Sequence, residues 1–149
     1  MSVDATITLY EDQSGDVWIG TAGGGLDRFH EGTFTAFTKA NGLFSDTICE
    51  ILEDDRSWFW MSCPRGIFRV SRQDLESCGK GANRNIVSIA YGKGDGMVSE
   101  LCNGVAKPGA WKSRDGRLWF ASSKGACVVD PNAQTQEDRK PPTVVVERV

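Results

Sequence analysis

His30 is the one imidazole among 149 residues, so histidine-based acid–base or nucleophilic chemistry would have to be organised around it. It stands in Phe29-His30-Glu31-Gly32, which reads as a turn, and a solvated side chain turned away from other candidate groups is expected. The cysteines, Cys49, Cys63, Cys78, Cys102 and Cys127, are 14, 15, 24 and 25 residues apart. None forms a CxxC pair, and with a single His this excludes a zinc site of ordinary ligand spacing. Buried small apolar side chains are the expected role, and one disulfide is the alternative that spacing leaves open. Carboxylates are paired at Glu11/Asp12 and Glu53/Asp54, but Lys112/Ser113 occupies the corresponding place later in the chain. Side chains there are expected to shape turns by accepting backbone N–H bonds, not to act as acid and base. Gly92-Lys93-Gly94-Asp95-Gly96 lacks the GxxxxGK-Ser/Thr of a phosphate loop and reads as a connection. Asp12-Gln13-Ser14-Gly15-Asp16 lacks the downstream Glu of a calcium loop and reads as a turn. No catalytic residue, metal or cofactor is expected.

Bulk properties agree with a globular segment. Lys and Arg number 17 against 20 Asp and Glu, a net charge of −3 with no basic run, so nucleic acid is not an expected partner. No apolar stretch approaches the roughly 20 residues of a membrane span, and membrane insertion by this segment is not expected. The start, MSVDATITLY, has Asp4 and no long apolar region, so it does not read as a signal peptide.

The elements that position these groups come from an internal repeat. Trp18, Trp60 and Trp119 each lie seven residues after the first residue of a similar string: EDQSGDVWIGTAGGGLDRF, EDDRSWFWMSCPRGIFRV and KSRDGRLWFASSKGACVV. The Gly that opens the next apolar pair follows each Trp by seven, six and six residues, at Gly25, Gly66 and Gly125. The intervals between the Trp residues, 42 and 59, differ mainly through two connecting segments, so cores keep register while loops absorb insertions. Within the first unit, alternation over Ile7–Asp12, a turn at 12–15, a compact Val17-Trp18-Ile19, a glycine-rich turn over 21–25, Leu26–Phe29 and Thr33–Phe37 spell four short strands. Four antiparallel strands in about 40 residues, repeated, predict β-propeller blades. The expected architecture is therefore all-β, with about three consecutive four-stranded antiparallel blades and no helix longer than a turn or two. Residues 1–131 form a partial propeller (blades near 3–38, 47–91 and 104–131), 132–142 a linker, and 143–149 a terminal strand that either opens a following β-domain or closes this one.

WIGTAGGGLDRF and NGLFSDTICEILED resemble the two-component regulator propeller repeat, found in the sensor region of bacterial hybrid histidine kinases. DGMVSELCN, DGRLWFASSKGACVVDP and PPTVVVERV are similar to the last blade of such a propeller and the first strand of the three-tyrosine domain that follows it. The second and third units depart from the pattern: Ser57 replaces the turn Gly, Pro64-Arg65 part of the glycine-rich turn, and Ala126 the usual Leu or Ile. The resemblance implies a non-catalytic, extracytoplasmic (periplasmic) sensory region that recognises a ligand, often a glycan fragment, within a longer parent protein. A structural or protein-interaction module that assembles through its blades without a small-molecule ligand is the alternative.

Blade order places the second-to-third strand turns on one face with the between-blade loops. Ligands of propellers sit where such loops meet the channel, which selects Arg65, Lys124, Ser45, Asp46, Glu100 and Asn103 as candidate ligand-binding residues, with ordinary solvated loop residues as the competing reading. Trp18, Trp60 and Trp119 are expected to pack between blades, and Trp111, aligned with Tyr10 and Leu52, to be a core residue. Trp58 aligns with polar Asp16 and Arg117, leaving a sugar platform, a part-buried edge residue or an oligomer contact open. Three blades leave two outer faces uncovered, so self-association is expected, as a dimer forming a six-blade ring or by exchange of the strand 143–149.

Overall fold

The protein is described by a computed structural model covering residues 2, 4–82, 85–102 and 107–133, with the backbone of 144–147. It is built from three four-stranded antiparallel sheets. The first contains β1 (Thr6–Glu11), β2 (Val17–Thr21), β3 (Leu26–His30) and β4 (Thr33–Phe37) in order, and the second β5 (Glu50–Glu53), β6 (Trp58–Cys63), β7 (Gly66–Ser71) and β8 (Ser88–Tyr91). The third contains β9 (Ala110–Lys112), β10 (Leu118–Ser122) and β11 (Gly125–Val129), completed by β12 (Val144–Glu147), whose Val144 and Val146 pair with Val129 and Cys127. Of the two places the sequence left open for this strand, the structure shows the closing one, at the free edge of β11.

The sheets follow one another as blades. Their first strands touch in series, β1 to β5 and β5 to β9, which makes these the inner strands around the axis. Alternation then sends one side of each strand forward and the other back. Trp18, Phe37, Phe59, Met61 and Val70 fill the seam between blades one and two. Trp60, Tyr91, Leu118, Phe120 and Val129 fill the seam between blades two and three. The same rule corrects one expectation. Trp111 occupies the position of Tyr10 and Leu52, which are half-buried by the following blade; on the third blade it stands 65% exposed. Trp119 is likewise only half-buried, whereas Trp18 and Trp60 are fully enclosed.

Glycine opens the third strand of each blade for two reasons. Gly25 and Gly66 have φ of 84° and 123°, and a Cβ there would lie 2.1 and 2.4 Å from the carbonyl oxygens of Phe37 and Tyr91. Between β7 and β8 the chain forms the two-turn helix α1 (Arg72–Gly79). It buries Leu75 into the first seam, with Cys78 packed beside it.

Candidate functional site

Each first-to-second strand turn is organised by one side chain. Asp12 Oδ1 accepts the backbone N–H of Ser14 at 2.8 Å and of Asp16 at 3.1 Å, while Oδ2 accepts the indole N–H of Trp18 at 2.9 Å. Asp54 repeats the arrangement with Arg56, Trp58 and the Trp60 indole at 2.8, 3.0 and 2.8 Å. In the third blade the Ser113 hydroxyl takes the Trp119 indole at 3.1 Å. The backbone bonds of Asp12 and Asp54 are those the sequence reading expected; the bonds that tie each turn to a tryptophan indole are additional.

The strand facing Trp18 and Trp60 adds a further contact in each case. Arg28 lies over Trp18, its guanidinium carbon 5.4 Å from the ring centroid, and also pairs with buried Asp16. Arg69 lies over Trp60 at 5.4 Å and over Trp58 at 4.5 Å. Trp58 is therefore a part-buried platform for a guanidinium, in the position where blade one uses a carboxylate for the same purpose. His30 differs from its expected solvated turn. It ends β3 with Nδ1 hydrogen-bonded to Asp16, leaving the ring half-exposed. Burial works against the Asp16 charge, but hydrogen bonds from His30 and Arg28 hold its carboxyl below the usual carboxylate range. Among the described residues, no serine or cysteine side chain bonds to His30.

Also on this lower face, a cleft of about 310 Å³ between the blades holds Tyr10, Glu53, Asp55, Arg72 and Lys112. Arg72 reaches from α1 to Asp12 at 2.9 Å, Glu53 at 3.4 Å and Glu76 at 2.9 Å. Burial opposes its charge, yet the Glu76 hydrogen bond and the fields of Asp12 and Glu53 raise its pKa above the ordinary value. Tyr10 donates to Glu53 at 3.0 Å, and burial together with that carboxylate pushes its hydroxyl above its usual range. Lys112 pairs with Asp55 at 2.7 Å. Cations and carboxylates here neutralise one another across the seams, so the cleft works as a lock between blades.

The upper face carries the sequence-selected residues. Asp46 accepts the Lys39 N–H at 2.7 Å, and its carbonyl accepts the N–H groups of Gly23 and Gly25 at 3.0 and 2.7 Å. Glu100 accepts the Lys93 N–H at 2.8 Å in the equivalent connection. Ser45 accepts the Thr47 N–H at 3.1 Å and donates to the Thr47 carbonyl. Arg65 spreads over Phe44 at 4.9 Å, and Lys124 is exposed in the matching turn of blade three. Asn103 lies outside the described residues, as do 104–106 and most of the expected linker.

Residues that the sequence reading did not select lie nearer the axis. Lys107 pairs with Glu50 and donates to the Cys49 carbonyl at 3.3 Å; Thr8 donates to the other Glu50 oxygen at 3.4 Å. Thr6, Thr8, Leu9, Glu50 and Lys107 line an open cleft of about 590 Å³ at the upper ends of the inner strands. The available signal was Glu50 itself, a carboxylate at a repeat position held elsewhere by Thr8 and Gly109. The five cysteines are thiols. Burial, with the other thiols nearby, pushes Cys102 up to about 12, and burial alone does the same to Cys127.

With this geometry in view, the comparisons with known proteins become specific. Residues 2–23 match the family model of the two component regulator propeller. The fold is similar to two solved structures of the extracellular domain of BT4673 from B. thetaiotaomicron, one described as a putative hybrid two component system and the other as a putative one component system. The first is 21% identical with a TM-score of 0.71 over 95% of this chain, the second 20% identical with a TM-score of 0.74 over 98%. The chain spans 18% of the length of either. No curated protein matches it. The family match thus covers β1 and β2 of the first blade, and the likeness to the solved structures is one of fold across all three blades. Among the described residues no helix is long and apolar enough to cross a membrane.

Proposed function

We propose that this chain is a segment of the extracytoplasmic (periplasmic) sensory propeller of a bacterial two-component regulator, non-catalytic, and that its upper face receives a small-molecule ligand, a glycan fragment being the class to test first. The observation that carries the reading is the upper cleft of about 590 Å³, which opens beside the inner strands on the same face as the Arg65 and Lys124 turns. Thr6 and Thr8 and the paired Glu50 and Lys107 line it together with apolar Ile7, Leu9 and Pro108, a mixture of polar groups and apolar surface suited to a sugar ring and its hydroxyls. The family match over residues 2–23 and the extracellular domains of like fold support the cellular setting.

A thermal-shift screen of neutral and acidic oligosaccharides tests the proposal. A ligand should raise the melting temperature of the wild type. The shift should shrink in Lys107→Ala and Arg65→Ala and persist in Arg72→Ala, which alters the lower face. Ligand shifts that all three variants preserve would remove the upper face as the site.

A further inference from the structure

The two connections between blades carry the same charge pattern on the upper face. Residues 39–46 of the first, KANGLFSD, correspond to 93–100 of the second, KGDGMVSE. Both begin with a short 3-10 turn opened by a lysine, Lys39–Asn41 and Lys93–Asp95. The carboxylates are turned onto their own loops. Asp46 accepts the Lys39 N–H at 2.7 Å, Glu100 the Lys93 N–H at 2.8 Å and Asp95 the Gly92 N–H at 2.9 Å, and all three residues are part-buried. Lys39 and Lys93 are exposed, and neither makes an ion pair among the described residues.

Each connection is fastened to a second-to-third strand turn that supplies another cation. Arg65 lies over Phe44 at 4.9 Å. In blade three the Ser123 N–H donates to the Leu101 carbonyl at 3.0 Å and its hydroxyl meets that of Ser99 at 2.8 Å, which sets Lys124, at the Arg65 position, beside the second connection. Arg65 and Lys124 are also exposed and without an ion pair among the described residues. Of the other carboxylates on this face, Glu50 is paired with Lys107, and Asp4 stands apart at the edge of blade one, beside Gly24. In a chain of net charge −3, these loops therefore hold their carboxylates against backbone and leave their cations to solvent, an arrangement that favours anions. Exposed Val98 and Leu101 add apolar surface to the second connection. Because the cations fall at two positions, each repeated one blade further on, they suit a partner whose charges also repeat.

We infer that the ligand of the upper face is an acidic oligosaccharide, its carboxylate or sulfate groups meeting Lys39, Arg65, Lys93 and Lys124 and its ring faces Val98 and Leu101. This names the class of ligand and rests on the reading of the upper face as the ligand face.

Isothermal titration calorimetry on the 149-residue chain, with probes matched in all but charge, tests it. One pair is an oligogalacturonate and its methyl ester, the other a sulfated dextran oligosaccharide and unsulfated dextran of the same length, so the two arms also tell carboxylate from sulfate. At least one acidic probe should bind, with its uncharged counterpart about tenfold weaker or silent. Its affinity should fall about tenfold between roughly 50 and 300 mM salt, because the contacts are exposed and screened. Arg65→Glu and Lys93→Glu should each weaken binding about fivefold or more, with unchanged far-UV circular dichroism. Lys80→Glu, the same change of charge at an exposed lysine of the lower face, should leave it within about twofold. Uncharged probes that bind as tightly as their acidic counterparts, or no binding by either acidic probe, would overturn the inference and leave the upper face to neutral sugars. Acidic binding that Lys80→Glu weakens as much as Arg65→Glu does would overturn it together with the upper face as the site.

Discussion

Blades one and two share with blade three a backbone plan but differ in how they hold the same tryptophan. Trp18 and Trp60 are each fixed by a buried aspartate that takes the indole N–H and two backbone N–H groups, with an arginine on the ring face. Trp119 has a serine hydroxyl in place of the aspartate and, opposite it on β11, Val128 in place of the arginine. The turn survives the substitutions: Gly15, Ser57 and Gly116 donate to the carbonyls of Asp12, Asp54 and Ser113 at 3.0, 3.3 and 2.9 Å. Backbone bonding is thus enough to make the turn. The carboxylate and guanidinium are required where the tryptophan loses water to a neighbouring blade, because a buried indole N–H without an acceptor is costly.

This contrast is broken most strongly at its centre. Asp54→Ala removes three hydrogen bonds around a fully buried Trp60 and should destabilise by about 2–4 kcal/mol. Ser113→Ala, beside a half-buried Trp119, should cost less than about 1 kcal/mol. Urea denaturation of the two variants reads the difference directly, and equal costs would undo the comparison.

Acid should separate the blades next. The Asp16 carboxyl sits below its ordinary range when folded, so it contributes stability that is full above its unfolded value, near 3.9, and is lost as pH falls through the folded value. Between pH 6 and pH 3 the wild type should lose more of its urea midpoint than Asp16→Asn does.

The smallest effect sharpens the comparison. Ser57 has a φ of 62°, where the corresponding turns of the other blades place Gly15 and Gly116. Ser57→Gly should therefore raise stability by about 0.5–1 kcal/mol, visible as a higher melting temperature, by relieving the left-handed strain.

Much of this organisation was legible in the sequence because it is local and repeated. The Trp spacing located β2, β6 and β10, and the Asp-to-Gly turn signature located what precedes them. What escaped notice depends on partners distant along the chain. Trp58 looked anomalous until Arg69 came to lie on its ring, since alignment places residues but not the contacts across a sheet. Trp111 read as core because the repeat encodes the position without encoding what covers it. Lys107 and Glu50 are 57 residues apart and meet only because the inner strands converge. α1 lay in a segment rich in polar residues, where Leu75 alone signalled a buried face.

The edge strand β12 gives the third blade a different history from the other two. Its neighbours β10 and β11 are joined through Ser123 and Lys124 alone, while β11 and β12 are separated by 14 residues. Lengthening a closure from two residues to that span costs about 1.7 kcal/mol more chain entropy, on the (3/2)RT ln n scaling. The inner hairpin of this blade therefore assembles on the timescale of local encounters, and its rim joins later, once β11 is in place to receive it. In the reverse direction the rim leaves first, so amide exchange in β12 precedes that in β4, which is tied to its sheet by a two-residue turn.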